Sequence, residues 1–228
     1  MGRVVLKVGG AVAEDAAAHV LALHAEGHEV CVVHGAGPQI SAEMERRGLE
    51  VTFVGGRRVT SARALEVVRD SFAEVNAALC AAIGPAAIGL MGDEIGIQAV
   101  PVPELGFVGD PHPSRPEAVE RALVAGRIPV VAPLARGPLN VNADETAVAL
   151  AVGLEAERIV FLTDVPGLLL EGEVVPSISV EMADRLLAGN GLEGGIVPKL
   201  RAAVQAARLG LRVEIGETAV VARAGRRT

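Results

Sequence analysis

The chain has 228 residues, half of them hydrophobic, but only 2% are aromatic and Trp and Tyr are absent, so Val, Leu, Ile and Ala must build the interior and stacking platforms for nucleobases are not expected. Its 21 basic and 28 acidic residues give a formal charge of −7, which repels nucleic-acid backbones and anionic membrane surfaces and confines any phosphate site to a local feature. With no run near the roughly 18 apolar residues that span a bilayer, no basic-then-apolar leader, and Cys31 and Cys80 in apolar runs without ligand spacing, the expectation is a cytoplasmic protein with two buried free thiols and neither a nucleic-acid nor a membrane partner.

Short β-branched runs alternate with longer amphipathic ones, the pattern of βαβ units around a mainly parallel sheet. Val4 to Val8 is a strand, Glu14 to Ala25 a helix ended by Gly27, and Glu29 to Val33 a buried strand running into His34-Gly35-Ala36-Gly37. Pro38 suits the first turn of a helix that ends at Gly48. Val51 to Val54 and Arg58 to Thr60 flank Gly55-Gly56 and predict a hairpin. Ser61 caps a long helix to Ile83, with Leu65, Val68, Phe72, Val75 and Leu79 at helical spacing. Ala86 to Gly109 predicts a meander of short strands, Asp110 to Pro116 a stiff proline-rich loop, Glu117 to Ala125 a helix and Ile128 to Ala132 a strand. An Asn-rich turn at Asn140 precedes a helix from Ala143 to Val152 and a strand from Arg158 to Leu162. A hairpin around Glu171-Gly172, helices at Val180 to Ala188 and Pro198 to Leu209, and a strand at Arg212 to Ile215 complete the chain. Repeats and low-complexity linkers are absent, and the Pro/Gly cluster between Leu134 and Leu139 is the candidate boundary between two lobes, 1–134 and 135–228.

Two lysines lie beside paired glycines at opposite ends of the chain, in Lys7-Val8-Gly9-Gly10 and in Gly194-Gly195-Ile196-Val197-Pro198-Lys199. Glycines let backbone N–H groups approach an anion, and two separated ammonium groups can neutralise a phosphoryl group in transfer. Asp144, in Asn140-Val141-Asn142-Ala143-Asp144 at a helix start, would hold the lysines apart and aimed. Two glycine turns at the ends of adjacent strands, after Lys7 and after His34, make the ligand crevice expected of an open α/β sheet. Neither turn has the spacing of a dinucleotide fingerprint or a Walker loop. Each motif also has a plain structural explanation. Lys7 could be a solvated strand end, His34 a turn residue, Arg57-Arg58 exposed hairpin charges, the Asn/Asp run a helix cap, and Thr163-Asp164-Val165-Pro166-Gly167 only a turn.

Taken together and in order, Lys-x-Gly-Gly, His-Gly-x-Gly, Gly-x-Arg-Val-Thr, Asn-Val-Asn-Ala-Asp, Thr-Asp-Val-Pro-Gly and Gly-Gly-x-x-Pro-Lys make the chain resemble the amino-acid kinase family, most closely its N-acetyl-L-glutamate kinases. The resemblance covers nearly the whole chain. It implies a single α/β domain, an αβα sandwich with a mainly parallel open central sheet, whose first lobe (1–134) binds the acyl acceptor and mediates dimerisation and whose second (135–228) binds Mg-ATP. The implied reaction is ATP-dependent phosphorylation of the γ-carboxylate of N-acetyl-L-glutamate in arginine synthesis. Lys7 and Lys199 would stabilise the transferring phosphoryl group and Asp144 would organise both. Gly9, Gly10 and the Gly35-Ala36-Gly37 turn would supply backbone donors, and Arg58, Asn140 and Asn142 would hold the acceptor, Arg58 by its α-carboxylate. The nucleotide would lie along Thr163, Asp164, Val165, Gly167 and Leu168 and along Gly191, Leu192, Glu193, Gly194 and Gly195, with Mg2+ carried by ATP rather than by protein side chains.

Three departures shape further expectations. Ala36 stands where these kinases usually have glycine, so its Cβ would crowd a substrate unless φ is negative there. The stretch after Gly216 is short for a wall of the adenine pocket, and Met1 leads straight into the first strand, so a homodimer without arginine feedback is expected. Two other functions fit the same motifs: a kinase for an α-aminoadipate or glutamate derivative on an acidic carrier protein, which Arg57 beside Arg58 would suit, and a nucleotide- or metabolite-sensing module without turnover.

Overall fold

The computed structural model describes residues 2–9, 13–163, 165–189, 192 and 194–222. Its first half runs β1 (Arg3–Val8), α1 (Ala13–Ala25), β2 (Glu29–His34), α2 (Gly37–Arg46), β3 (Phe53–Val54), β4 (Arg57–Arg58), α3 (Ala62–Ile83), β5 (Ala87–Met91), α4 (Gly92–Ile95), β6 (Ala99–Pro101) and β7 (Val108–Pro111). The second half adds α5 (Glu117–Val124), β8 (Ile128–Ala132), β9 (Leu134–Ala135), β10 (Leu139–Val141), α6 (Ala143–Gly153), β11 (Arg158–Phe161), β12 (Leu169–Leu170), β13 (Glu173–Val174), β14 (Ser177–Ser179), α7 (Val180–Ala188), α8 (Ile196–Arg208), β15 (Arg212–Ile215) and β16 (Thr218–Val221). Eight strands form one central sheet in the order β14-β16-β15-β11-β1-β2-β8-β5, parallel throughout except where β16 returns beside β15. A second sheet, β6-β7-β10-β9, stands beside it.

Strand alternation sorts the core into two faces. On β1 and β2, Val4, Leu6, Val30 and Val32 pack with Val20 of α1 and with Leu79 and Ile83 of α3, while Val5, Cys31 and Val33 pack against α5, α6 and α8. Helices therefore cover both faces, as near-continuous apolar strands require. The same parity places Lys7 on the face of Val5, the side on which α6 and α8 lie. Lys7 pairs with Phe161 of β11 and Val33 of β2, so it stands next to the carboxyl end of a strand at the middle of the sheet. That is where open α/β sheets bind their ligands. A third cluster, with Ile40 and Met44 of α2, Val68 and Phe72 of α3 and Leu134, underlies the β3–β4 hairpin side of the crevice.

Several boundaries differ from the sequence expectation. The meander over Ala86 to Gly109 does not form: β5 joins the edge of the central sheet beside β8, while β6 and β7 join the second sheet. Asp110 and Pro111 belong to β7 rather than to the proline-rich loop. Asn140 sits within β10, so the turn begins after it. The Leu134–Leu139 segment is an antiparallel connection with Leu134 and Ala135 fully buried. Strands β14 and β16 escaped the sequence pattern because each has only three or four residues and no clean alternation. The hairpin turn falls as expected, Gly55 and Gly56 at φ +58° and +82° giving the primed turn that matches strand twist. Cys31 is buried and its thiol is pushed up to about 12 by burial, against the pull of Arg3. Cys80 is half-buried rather than buried, its thiol also raised by burial. Among the described residues no helix is long and apolar enough to cross a membrane.

Candidate active site

Lys7 and Lys199, separated by nearly the whole sequence, reach the same oxygen. Lys7 Nζ lies 2.9 Å and Lys199 Nζ 3.7 Å from Asp144 Oδ1, and all three residues are buried at 7% exposure. Asp144 is aimed by its helix. Asn142 caps α6 by accepting from the N–H groups of Asp144 (2.9 Å) and Glu145 (3.1 Å), and Thr146 donates its hydroxyl to the Asn142 carbonyl. Two ammonium groups thus converge on one carboxylate oxygen in a chain whose total charge is negative. Such convergence suits the binding of an anion.

Two cavities meet at this point. One, of about 270 Å3, is lined by Gly35, Ala36, Arg58, Phe72, Asn140, Asn142 and neighbours. The other, of about 670 Å3, is lined by Gly9, Thr163, Val165, Gly167, Leu168, Leu192, Gly195, Pro198, Lys199 and neighbours. Lys7, Gly37, Pro38, Phe53 and Asp144 wall both. Helices α2 and α8 both begin at these cavities without a side-chain cap, at Ala36 and Gly195. Uncapped N-termini carry unpaired N–H groups and partial positive charge, so backbone dipoles add to the lysines in favouring a phosphate there.

The smaller cavity is built around Arg58, at 6% exposure. Its Nη2 donates to the Gly37 carbonyl (3.1 Å) and to Ser41 Oγ (2.8 Å), and its guanidinium carbon lies 4.6 Å from the centre of the Phe53 ring. Asn140 Nδ2 donates to Thr60 Oγ1 (3.1 Å), which donates in turn to the Arg58 carbonyl (2.8 Å). Ala36 has φ −141°, so its Cβ is accommodated without strain. The Gly35 N–H, expected to face substrate, instead donates to the Val8 carbonyl at 2.9 Å and stitches the two glycine turns together. Gly37 has open space where a Cβ would stand, on the wall that the two cavities share.

His34 does not line either cavity. It is buried beneath them, edge-on to Phe72 at 5.9 Å, with Asn76 Nδ2 3.0 Å from its Nε2. Burial pulls its pKa down to about 4 against an opposing hydrogen bond to the Gly35 backbone, so it is neutral near pH 7. His34 is thus a structural residue, but a buried strand end rather than the turn residue expected. Arg57 is not an exposed hairpin charge either: its Nη2 donates to both Glu145 oxygens (2.8 and 3.0 Å) and its Nη1 pairs with Asp110. Gly194 does not line the larger cavity, whereas Gly195 beside it does. Gly10, Asp164, Gly191 and Glu193 lie outside the described residues. Among those described, no cluster of three or more His, Cys, Asp or Glu could hold a metal ion. Sequence reasoning missed Pro38, Ser41, Phe53 and Phe72. Only Pro38 carried a signal, its place directly after a glycine turn.

The chain is similar to known proteins over nearly its whole length. The family model described as the amino acid kinase family matches residues 2–217. An acetylglutamate kinase of Rubrobacter xylanophilus is 42% identical over 94% of this chain and 88% of its own length. One from a Jannaschia species is 38% identical over 92% of this chain and 79% of its own length. Among solved structures, the smu.665 protein of Streptococcus mutans superposes with a TM-score of 0.88 at 26% identity, covering 96% of this chain and 98% of that one.

Proposed function

The chain belongs to the amino acid kinase family, and from that premise we propose that it transfers the γ-phosphoryl group of ATP to the γ-carboxylate of N-acetyl-L-glutamate, making the acyl phosphate used in arginine synthesis. The carrying observation is the shared wall of the two cavities, where Lys7, Lys199 and Asp144 meet, in a chain 42% identical to an acetylglutamate kinase.

The acceptor occupies the smaller cavity with its α-carboxylate at Arg58, whose fork suits two oxygens. ATP occupies the larger one, with its base among Leu162, Leu168, Leu169 and Leu192 and its phosphates toward the start of α8. The γ-carboxylate is ionised at neutral pH and needs no base. One of its oxygens attacks the γ-phosphorus in line, the bond from that phosphorus to the β–γ bridging oxygen breaks, and ADP leaves with the electron pair. Lys7 bears on the junction and Lys199 on the nucleotide side, so the pair offsets charge on the equatorial and leaving oxygens. Asp144 keeps the two ammonium groups from drifting into solvent. Mg2+ bound to the triphosphate supplies further neutralisation of the phosphates.

Two lysines held on one carboxylate favour turnover over a sensing module, which needs no such clamp. Arg57 lends little to a carrier-protein acceptor, since its guanidinium is already engaged by Glu145 and Asp110. A coupled ADP-release assay with N-acetyl-L-glutamate, aminoadipate derivatives and aspartate side by side is the test. Turnover with N-acetyl-L-glutamate is expected; turnover only with another acceptor, or with none, would refute the assignment.

A further inference from the structure

The β3–β4 hairpin is a small element with a large position. Each strand has two residues, Phe53 and Val54 are half-exposed, and Phe53 walls both cavities. Adjacent residues of a strand point to opposite sides, and the two arginines of β4 use this. Arg58 reaches α2 through the Gly37 carbonyl and Ser41, while Arg57 reaches α6 through Glu145 and β7 through Asp110. The hairpin thus bridges the mouth of the smaller cavity, tied by one guanidinium on each side. Glu145 is the residue after Asp144, and its own N–H is held by the Asn142 cap. The Arg57 tie therefore ends on the helical turn that carries the lysine-bridging carboxylate.

From this geometry we infer that Arg57, through its pairing with Glu145 and Asp110, is a positioning residue for the acceptor: it fixes the hairpin, and with it Arg58 and Phe53, at the spacing from α6 that the acceptor requires. It rests on the acceptor assignment made above. The charge of Arg57 is engaged by two carboxylates of its own chain, so it acts through the hairpin. Apart from Phe53, most of the larger cavity's wall, among it Val165, Gly167, Leu168, Leu192 and the start of α8, belongs to elements that the Arg57 tie does not touch.

Arg57→Met keeps an unbranched apolar stem and removes both ion pairs, and Glu145→Gln removes the charge of one pair from the other end. Each should raise the KM for N-acetyl-L-glutamate about tenfold, the scale of one charged, partly buried hydrogen-bonded pair. The KM for ATP should stay within about twofold. Because Arg57→Met already breaks the contact that Glu145→Gln breaks, Arg57→Met/Glu145→Gln should be little worse than Arg57→Met alone. Arg57→Lys, which can serve one carboxylate, should fall between. Hydrogen exchange of residues 53–58 in the free protein should quicken in Arg57→Met and Glu145→Gln, with the rest of the sheet unchanged. A rise in both KM values together, additive effects in the double variant, or unaltered exchange over 53–58 would each overturn the inference. Should the wild type fail to phosphorylate N-acetyl-L-glutamate, the acceptor assignment falls, and the exchange measurement on the same proteins still decides whether Arg57 fixes the hairpin.

Discussion

Asp144→Asn isolates the central ionic contact with almost no change of shape. At an effective dielectric of about 20, a charge pair at the Lys7 distance is worth about 6 kcal/mol and one at the Lys199 distance about 4.5 kcal/mol before desolvation is subtracted. Removing one member of a buried pair typically costs about 3–5 kcal/mol, because the remaining charge is left uncompensated. Here the lysines that remain are both 7% exposed. With about 2.1 cal/mol/K of unfolding entropy per residue, the 228-residue chain loses about 6–10 °C in Tm. Turnover should fall at least about a hundredfold, since misplaced lysines act like a lost oxyanion donor. Scanning calorimetry and the coupled ADP assay read the two effects separately. The double variant Lys7→Met/Asp144→Asn should be more stable than Asp144→Asn alone, because it removes one of the stranded charges. A Tm within about 2 °C of wild type for Asp144→Asn, or a double variant less stable than the single, would show that the carboxylate does not hold the lysines.

Three further outcomes follow from burial and close approach. His34, with its pKa pushed down to about 4 by burial, is neutral in both folded and unfolded states above about pH 6.5. As pH falls from 6.5 toward 4 the unfolded chain takes up a proton that the folded chain refuses, and up to about 3 kcal/mol of stability is lost; Tm measured at pH 7 and 4.5 should drop less in His34→Gln, and equal drops would exclude His34 as the cause. Gly153 lies against the backbone of Ser114, where a Cβ would overlap it; Gly153→Ala should lose about 1–3 kcal/mol in denaturant unfolding despite alanine's better helix propensity, and a gain in stability would contradict the packing. Gly37→Ala meets no protein atom and should keep its Tm within about 1 °C, yet lower kcat/KM at least about tenfold by occupying ligand space; normal turnover would mean that no ligand passes there.

What the sequence disclosed of this molecule depends on the range of the interaction. Ser61 accepts from the Ala64 N–H to start the 22-residue helix α3, with Val68, Phe72 and Leu79 buried, as cap and periodicity indicate. The parity of β1 likewise fixes which face Lys7 takes. Local chemistry left less trace where elements were short: β14 and β16 have too few residues for alternation, and β5 separates from β6 because of which neighbour it meets. The pairing of Arg57 with Glu145 spans 88 positions and has no local signature at all.

The site itself divides along the same line. Asn142 was legible as a helix cap and as a binding residue, and its oxygen proves to be occupied by two backbone donors. That occupation is functional in its consequence. A cap fixes where the first turn of α6 begins, and so fixes Asp144 Oδ1 where Lys7 from the central strand and Lys199 from α8 can both reach it. Three elements, β1, α6 and α8, are thus brought to one point by a carboxylate whose direction is set by an amide oxygen two residues before it. A substitution at Asn142 that keeps α6 helical but shifts its first turn should therefore reduce phosphoryl transfer even though Asn142 need never touch the phosphate.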